Sequence, residues 1–126
     1  MKSEPDPRRV KAEALGRSAE DQAGQYLSDN GWTIINKRTK TRSGEIDIIA
    51  SRDNVTAFIE VKARMHRDEA ISAVTKKQAK RIIAAANYWL AQHPEAMMND
   101  CRFDVILICP NSVPEHIENA FGAEAW

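Results

Sequence analysis

The order of the predicted helices and strands indicates an α/β domain with a mixed sheet. Helical periodicity near the N-terminus is followed by three runs rich in β-branched residues, a second amphipathic helix and one strongly apolar run. Strands joined by short turns pair antiparallel, whereas a helix that connects two strands usually makes them parallel. The sequence therefore predicts a helix, a three-stranded meander, a helix and a strand, with helices flanking the sheet.

The first helix is predicted from Val10, because apolar residues recur from there at three- and four-residue intervals. Residues 1–9 contain two prolines among polar neighbours, and they are expected to form a flexible arm before a single domain over 10–126. Gly16 is expected to divide this helix into two pieces. Gly31 is expected to end it, because glycine readily takes the left-handed conformation found at helix C-termini.

Three strands are predicted next, at 32–36, 45–50 and 56–64. The last two form a hairpin, since Asp53 and Asn54 between them favour a turn. A basic loop over 37–43 separates the first strand from this hairpin.

The second half of the chain contains one more helix and one more long strand. The helix is predicted over 71–92, where apolar residues lie on one side, and it ends before Pro94. The strand covers 102–109, and its uninterrupted apolar run suits a strand that is covered on both faces. A tail through Ile117 is expected to add a short edge strand.

The composition excludes a membrane-embedded or intrinsically disordered chain. Of 126 residues, 43% are hydrophobic and 29% are charged, and no apolar run approaches the roughly 20 residues of a membrane span. The charged N-terminus lacks the apolar stretch of a secretory signal. Cys101 and Cys109 stand on one predicted strand, about 26 Å apart, which is too far for a disulfide. We therefore expect a cytoplasmic protein with reduced cysteines and no membrane partner.

The charges are balanced overall but unevenly distributed along the chain. There are 18 Lys and Arg residues and 18 Asp and Glu residues, yet segment 36–81 holds 12 basic against 6 acidic residues and the remainder is correspondingly acidic. Such asymmetry allows a basic face for a polyanion beside an acidic face. The alternative is that charges close in sequence are dispersed over the folded surface, and the count alone does not decide between the two.

Acidic residues and a lysine are placed to meet across the predicted hairpin. Side chains alternate along a strand, so Glu45 and Asp47 share a face of one strand, and Glu60 and Lys62 share a face of the next. Glu20 adds an acid on the core-facing stripe of the first helix. Grouped carboxylates are the ligands that hard divalent cations such as Mg²⁺ require. The alternative is a hairpin whose solvent face carries complementary charges.

These residues also carry a resemblance to known families. The run Gly44-Glu45-Ile46-Asp47, followed after a turn by Glu60-Val61-Lys62, resembles the Asp…Glu-x-Lys signature of the PD-(D/E)XK, or restriction-endonuclease-like, nuclease superfamily. More narrowly, the chain is similar to the YraN family of bacterial proteins, which resemble archaeal Holliday-junction resolvases. The stretches that carry this similarity are 16–27, 44–50, 58–64, 77–78 and 102–105. Glu45 stands where the superfamily has proline, so the first motif is incomplete.

The resemblance implies a restriction-endonuclease-like core. It also implies a Mg²⁺- or Mn²⁺-dependent endonuclease that hydrolyses phosphodiester bonds in DNA, with branched or structured DNA as candidate substrates. The implied metal ligands are Asp47, Glu60 and the carbonyl group of Val61, and the implied catalytic residues are Glu20, Asp47, Glu60, Lys62 and Gln78. For Gln78, an ordinary helix position is the alternative interpretation. By analogy with the resolvases, a homodimer is expected.

Basic residues on both sides of this site are the implied nucleic-acid-binding residues. They are Lys37, Arg38, Lys40 and Arg42 before the strand of Asp47, Arg64 after Lys62, and Lys76, Lys77, Lys80 and Arg81 in the second helix. Solvated surface charge is the alternative interpretation for each group. Two competitors to the nuclease stay open: a non-catalytic nucleic-acid-binding module that retains the fold, and a structural protein whose hairpin charges only pair. Trp32 and Trp89 are expected in the core, and Trp126 at a frayed terminus.

Overall fold

The chain forms a five-stranded sheet with helices packed against both faces. The structure, a computed structural model, describes residues 7–122, with side chains from residue 18 onward. Its elements are α1 (Pro7–Asp29), β1 (Thr33–Lys40), β2 (Glu45–Arg52), β3 (Val55–Ala63), α2 (Arg67–Ser72), α3 (Lys76–Gln92), a 3₁₀ helix (Pro94–Met98), β4 (Asp100–Ile108) and β5 (Glu115–Phe121). In this part of the chain, no helix is both long and apolar enough to cross a membrane.

The strands lie in the sheet in the order in which they occur in the chain. β1, β2 and β3 are antiparallel neighbours, α2 and α3 form the crossover, and β4 pairs with β3 in parallel. The predicted meander and the parallel fourth strand are therefore confirmed, as is an α/β domain with a mixed sheet. β5 is antiparallel to β4 at the sheet edge, so the edge strand expected through Ile117 is confirmed and extends to Phe121.

Each face of the sheet is buried by a different helix. On one face, Leu27 of α1 packs with Ile48, Ile59 and other aliphatic side chains of the strands. On the opposite face, the apolar side of α3 packs on the alternate side chains of the same strands. Burial of one such side chain contributes about 2 kcal/mol. Trp32 and Trp89 are each 4% exposed, so both lie in the core as predicted, whereas Trp126 is outside the described residues.

The first helix differs from its prediction in two ways. α1 begins at Pro7 rather than at Val10, and residues 1–6 of the predicted arm lie outside the described residues. Proline suits the first turn of a helix, because that turn lacks a partner for the backbone N–H and the proline φ is already helical. α1 also runs through Gly16 without a break. An interior glycine costs about 1 kcal/mol, which the packing of α1 against the sheet offsets.

The basic loop predicted over 37–43 is wrong in its first half, because β1 continues to Lys40. Lys40 pairs with Glu45 across the sheet, which leaves only 41–44 for the turn. Thr41 and Gly44 close this turn with reciprocal backbone hydrogen bonds of 2.8 and 3.3 Å. β1 lies at the edge of the sheet, where charged side chains are common because they discourage further strand pairing.

The helix predicted over 71–92 is two helices, since α2 ends at Ser72 and α3 begins at Lys76. Thr75 between them has an extended backbone, with φ −89° and ψ 161°. Its hydroxyl accepts the backbone N–H of Gln78 at 3.1 Å. The Thr75-x-x-Gln78 spacing is that of a capping box, so the sequence contained a signal for this helix start.

Candidate functional site

The two predicted carboxylate ligands lie where β2 and β3 separate. Backbone pairing between these strands extends as far as Ile48 and Ile59, and Asp47 and Glu60 are the next residues on each strand. Beyond that point, Asp47 Oδ2 accepts the Val61 backbone N–H at 2.8 Å. The Asp47 side chain, instead of the β2 backbone, thus accepts the Val61 N–H. This hydrogen bond holds the Asp47 carboxylate against β3.

The carboxyl groups of Asp47 and Glu60 lie close enough for each to influence the ionisation of the other. Burial, followed by the negative charge of Glu60, raises the pKa of Asp47 to about 8. Burial also raises the pKa of Glu60, although Lys62 opposes that rise. Two acids this close do not both ionise readily, because each charge disfavours the other. Without a cation, the pair therefore holds a proton at neutral pH.

Two further predicted residues contact Glu60. The Lys62 ammonium lies 3.2 Å from Glu60 Oε1, and only 12% of the Lys62 side chain is exposed. Gln78 Nε2 donates to the same oxygen at 3.1 Å. Gln78 occupies this place because Thr75 caps α3 through the Gln78 backbone. The structure thus brings together Asp47, Glu60, Lys62 and Gln78 from β2, β3 and α3.

Glu20 approaches the site from α1, but its carboxylate is bonded to an arginine. Glu20 Oε2 accepts a hydrogen bond from Arg38 Nε at 2.6 Å. The Glu20 charge also contributes to the raised pKa of both Asp47 and Glu60, so it lies near the pair. Arg38 has a φ of 52° within β1, a left-handed conformation that is uncommon for a residue other than glycine. Because Arg38 is already bonded to Glu20, a contact between Arg38 and nucleic acid would compete with that bond.

The donor set fits a divalent cation held by two carboxylates. Mg²⁺ usually takes one or two carboxylates from a protein and its other oxygens from water and phosphate. Asp47 and Glu60 present that number, as a pair of one partly buried and one buried carboxylate whose mutual repulsion a cation would relieve. Among the side chains that the structure describes, those of residues 18–122, no group of three or more His, Cys, Asp and Glu is arranged to hold a metal ion. Glu20 is thus not assembled as a third carboxylate ligand, in agreement with its bond to Arg38.

The two predicted basic clusters meet at one point. A Cβ atom added at Gly44 would lie 3.3 Å from Arg81 Cβ, so the turn between β1 and β2 packs on the first part of α3. Several exposed basic side chains of this region have no ion-pair partner in the described part of the chain. They are Lys40, Arg42, Lys77, Lys80 and Arg81. We call these five residues the basic surface.

The remaining predicted basic residues are placed differently. The Lys37 ammonium lies 3.8 Å from Asp21 on α1, so this charge is partly compensated. Arg64 is exposed just beyond β3, and its guanidinium donates to the Ala63 carbonyl oxygen at 2.7 Å. Lys76 is the exposed first residue of α3.

A second buried acid received no role from the sequence. Asp104 is fully buried in β4 and accepts two hydrogen bonds of 2.9 Å from Arg102 and one of 2.9 Å from the Asn119 backbone. His116 Nε2 lies 2.7 Å from the same carboxylate. Burial opposes ionisation, but the hydrogen bonds from His116 and Arg102 outweigh it and lower the pKa of Asp104. Asp104 faces the register shift of β5, so this network fixes the edge strand. The sequence signal that could have revealed this acid is an aspartate inside the otherwise apolar run of β4.

The fold and the site define an α/β protein with a largely buried carboxylate pair, a lysine and a glutamine where two strands separate. The model of the uncharacterised protein family UPF0102 matches residues 19–108, which include all of these side chains. The chain therefore belongs to UPF0102, the YraN family, as its motifs indicated.

Relatives in this family are similar along most of their length. A UPF0102 protein of Rhodopseudomonas palustris is 51% identical over 115 residues, which cover 91% of this chain and 88% of that protein. A UPF0102 protein of Bradyrhizobium diazoefficiens is also 51% identical, over 93% of this chain and 88% of its own length. For a UPF0102 protein of Nitrobacter winogradskyi, the identity is 49%, over 91% of this chain and 98% of that protein.

Proposed function

We propose that this chain is a metal-dependent endonuclease with a restriction-endonuclease-like core, which hydrolyses phosphodiester bonds in DNA, including branched or structured DNA. The observation that carries the proposal is the pair formed by the partly buried Asp47 and the buried Glu60, with Lys62 beside it. Two neighbouring acids withdrawn from water destabilise the ionised fold unless a cation compensates them. Lys62 alone does not, because the pKa of Glu60 stays raised with the lysine 3.2 Å away. A bound cation explains the pair better than a structural role does.

The residues of the site can divide the work of hydrolysis. A divalent cation held by Asp47 and Glu60 would polarise the phosphoryl oxygens and activate a water molecule. The Lys62 ammonium has three N–H donors, with which it can orient the attacking water or stabilise the charge that develops on the phosphate. Gln78 fixes the orientation of the Glu60 carboxylate through its 3.1 Å hydrogen bond. Partial burial makes these electrostatic interactions stronger than they would be in water.

The basic surface supports a polyanionic substrate. Its members on the turn and on α3 carry exposed charges that can neutralise phosphates on the two sides of a scissile bond. Phosphate contacts fix the position of a nucleic acid without reading its sequence. The proposed preference is therefore for DNA of a given structure rather than of a given sequence.

Cleavage assays on purified protein test this proposal. Single-stranded, duplex, flap and four-way-junction DNA would be incubated with Mg²⁺ or Mn²⁺, and in parallel with a chelator. Asp47→Asn removes a negatively charged ligand with almost no change in shape. Asp53→Asn is the matched control, because Asp53 is exposed in the turn of the same hairpin, with a φ of 54° that asparagine also tolerates. We expect metal-dependent cleavage that Asp53→Asn keeps and Asp47→Asn loses.

The same controls show which results would contradict the nuclease proposal. Cleavage that survives in Asp47→Asn belongs to a contaminating nuclease. If no DNA is cleaved in an Asp47-dependent manner, the nuclease proposal is wrong. If the wild type and both variants then bind DNA equally well, the non-catalytic nucleic-acid-binding module is the function that fits.

A further inference from the structure

A large cavity opens next to the candidate site, at the carboxyl ends of the parallel strands β3 and β4. Its volume is about 850 Å³, within the range of roughly 300 to 1,000 Å³ that is usual for ligand pockets. It lies between α1, the end of β3 and the segment after β4. The residues that matter for its chemistry are Ala19, Gln22, Ala63, Arg64, Ile108 and Val113.

The cavity and the carboxylate site share two elements. In β3, Lys62 is followed directly by Ala63 and Arg64, which line the cavity. At a rise of about 3.3 Å per residue, Arg64 is about 7 Å from Lys62 along the chain. In α1, Ala19 immediately precedes Glu20 and Gln22 follows it two residues later, and both line the same cavity. Lys62 and Ala63 point to opposite faces of the sheet, so a DNA strand bound at the carboxylate site would reach the cavity by passing around the end of β3.

The lining combines apolar walls with a few polar groups. Ala19, Ala63 and Ile108 supply apolar surface of the kind that packs on the face of a nucleobase. The Gln22 amide can donate to and accept from a base edge, and the Glu69 carboxylate can accept from an exocyclic amino group. Arg64 is exposed and has no ion-pair partner in the described part of the chain, so it is available to a phosphate.

We propose that this cavity receives an unpaired nucleobase from the DNA strand whose phosphate lies beside Glu60 and Lys62. The inference rests on the proposed nuclease function and deepens it. A base enters such a cavity only after it leaves its stack, and this costs least for a base that is already unpaired or mismatched. The substrate class is therefore DNA with an unpaired nucleotide next to the scissile bond.

DNA containing 2-aminopurine tests the proposal, because the fluorescence of this base rises when it leaves the stack. One duplex would carry 2-aminopurine in a single-nucleotide bulge and another would carry it fully paired. Both would be titrated with the full chain in the presence of a chelator, so that binding is measured without cleavage.

Two matched variants locate the effect. Val113 is 77% exposed at the cavity, and Val113→Trp would fill the entrance. Met98 is 88% exposed in the 3₁₀ helix and does not line the cavity, so Met98→Trp adds an indole elsewhere. Neither position is in the core, so both variants should fold, which their circular dichroism and melting temperatures would verify.

The expected result is a difference between the two duplexes. Wild type and Met98→Trp should bind the bulged duplex about tenfold more tightly than the paired one, with a rise in fluorescence. Val113→Trp should bind the two duplexes equally, with its affinity for the paired duplex unchanged. Equal wild-type affinity for both duplexes, or a preference that survives Val113→Trp, would overturn the base-binding cavity.

The result is separable from that of the cleavage assay. Asp47-dependent cleavage without a bulge preference contradicts the cavity and leaves the nuclease intact. A bulge preference that Val113→Trp abolishes supports the cavity, even when no DNA is cleaved and the nuclease proposal has failed. Absence of all DNA binding contradicts both.

Discussion

Replacing Asp47 with asparagine should stabilise the metal-free protein at alkaline pH. Asparagine has nearly the same shape, its oxygen can still accept the Val61 N–H, and its amide can donate to Glu60. The substitution therefore removes the negative charge and keeps the contacts. Its effect should begin near pH 4, where Asp47 of the unfolded chain ionises, and be complete above about pH 8, where Asp47 of the folded wild type is ionised as well.

The sign follows from the pKa of Asp47, which burial and Glu60 raise from 3.8 to about 8. Between these values the folded chain holds a proton that the unfolded chain has lost, so wild-type stability falls as the pH rises from about 4 through about 8. Two charges about 4 Å apart repel by about 4 kcal/mol at an effective dielectric constant of about 20. Relaxation of the side chains reduces this, and we expect Asp47→Asn to be about 2 to 4 kcal/mol more stable than wild type at pH 9. Below about pH 4 the two should be equally stable, and at pH 5 roughly a quarter of the difference should have developed.

Thermal and urea denaturation at about pH 5, 7 and 9, with a chelator present, measures this difference. One kcal/mol corresponds to roughly 4 °C in melting temperature for a domain of this size, so the effect at pH 9 should be about 8 to 16 °C. Asp53→Asn serves again as the matched control and should follow the wild type at every pH. A variant at Asp47 that is less stable than wild type at pH 9 would refute the reasoning, because the carboxylate would then be a structural partner and not a source of repulsion.

Three other measurements address the cation, the DNA and the lysine. Mn²⁺ at about 100 times its dissociation constant should stabilise the wild type by about 2.7 kcal/mol. A double variant with alanine at Asp47 and Glu60 should not be stabilised by Mn²⁺. Equal stabilisation of the variant would place the ion elsewhere. Alanine at Lys40 and Arg42 should lower the slope of log K against log salt for duplex DNA by about 2, whereas an unchanged slope would show that the turn does not touch DNA. Lys62→Met should slow hydrolysis by about 10²-fold or more at nearly constant DNA affinity, and a parallel loss of affinity would make Lys62 a binding residue instead.

The topology was predictable because it follows from local patterns and from the handedness of chain connections. The hairpin, the crossover and the parallel fourth strand are each encoded by residues close in sequence. The end of β1 was not predictable. Its basic residues have the composition of a loop, and they form a strand only because they pair with β2. That pairing, such as Lys40 with Glu45, is a tertiary effect that overrides local preference.

The site was predictable to a similar extent. Asp47, Glu60 and Lys62 could be placed together from side-chain alternation on a hairpin, and the Thr75-x-x-Gln78 spacing marks the helix start that brings Gln78 to Glu60. The bond between Glu20 and Arg38 could not be foreseen. It joins residues 18 positions apart and depends on a left-handed backbone at Arg38, which no local pattern indicates. The cavity was equally hidden, because three separate segments build it.

Two of the aspartates in this sheet, Asp47 and Asp104, have surroundings that give them opposite electrostatic properties. Asp104 accepts two hydrogen bonds from Arg102 and one from the Asn119 backbone, and His116 is 2.7 Å away. These donors outweigh burial and hold the pKa of Asp104 below its ordinary value, so its charge is satisfied inside the fold. Asp47 accepts a single backbone N–H, has a second carboxyl group beside it, and its pKa rises to about 8. A buried charge with a full set of donors stabilises the structure that supplies them, whereas one that lacks donors requires a cation from outside. On this ground we propose Asp47, and not Asp104, as the place where the protein binds its ligand.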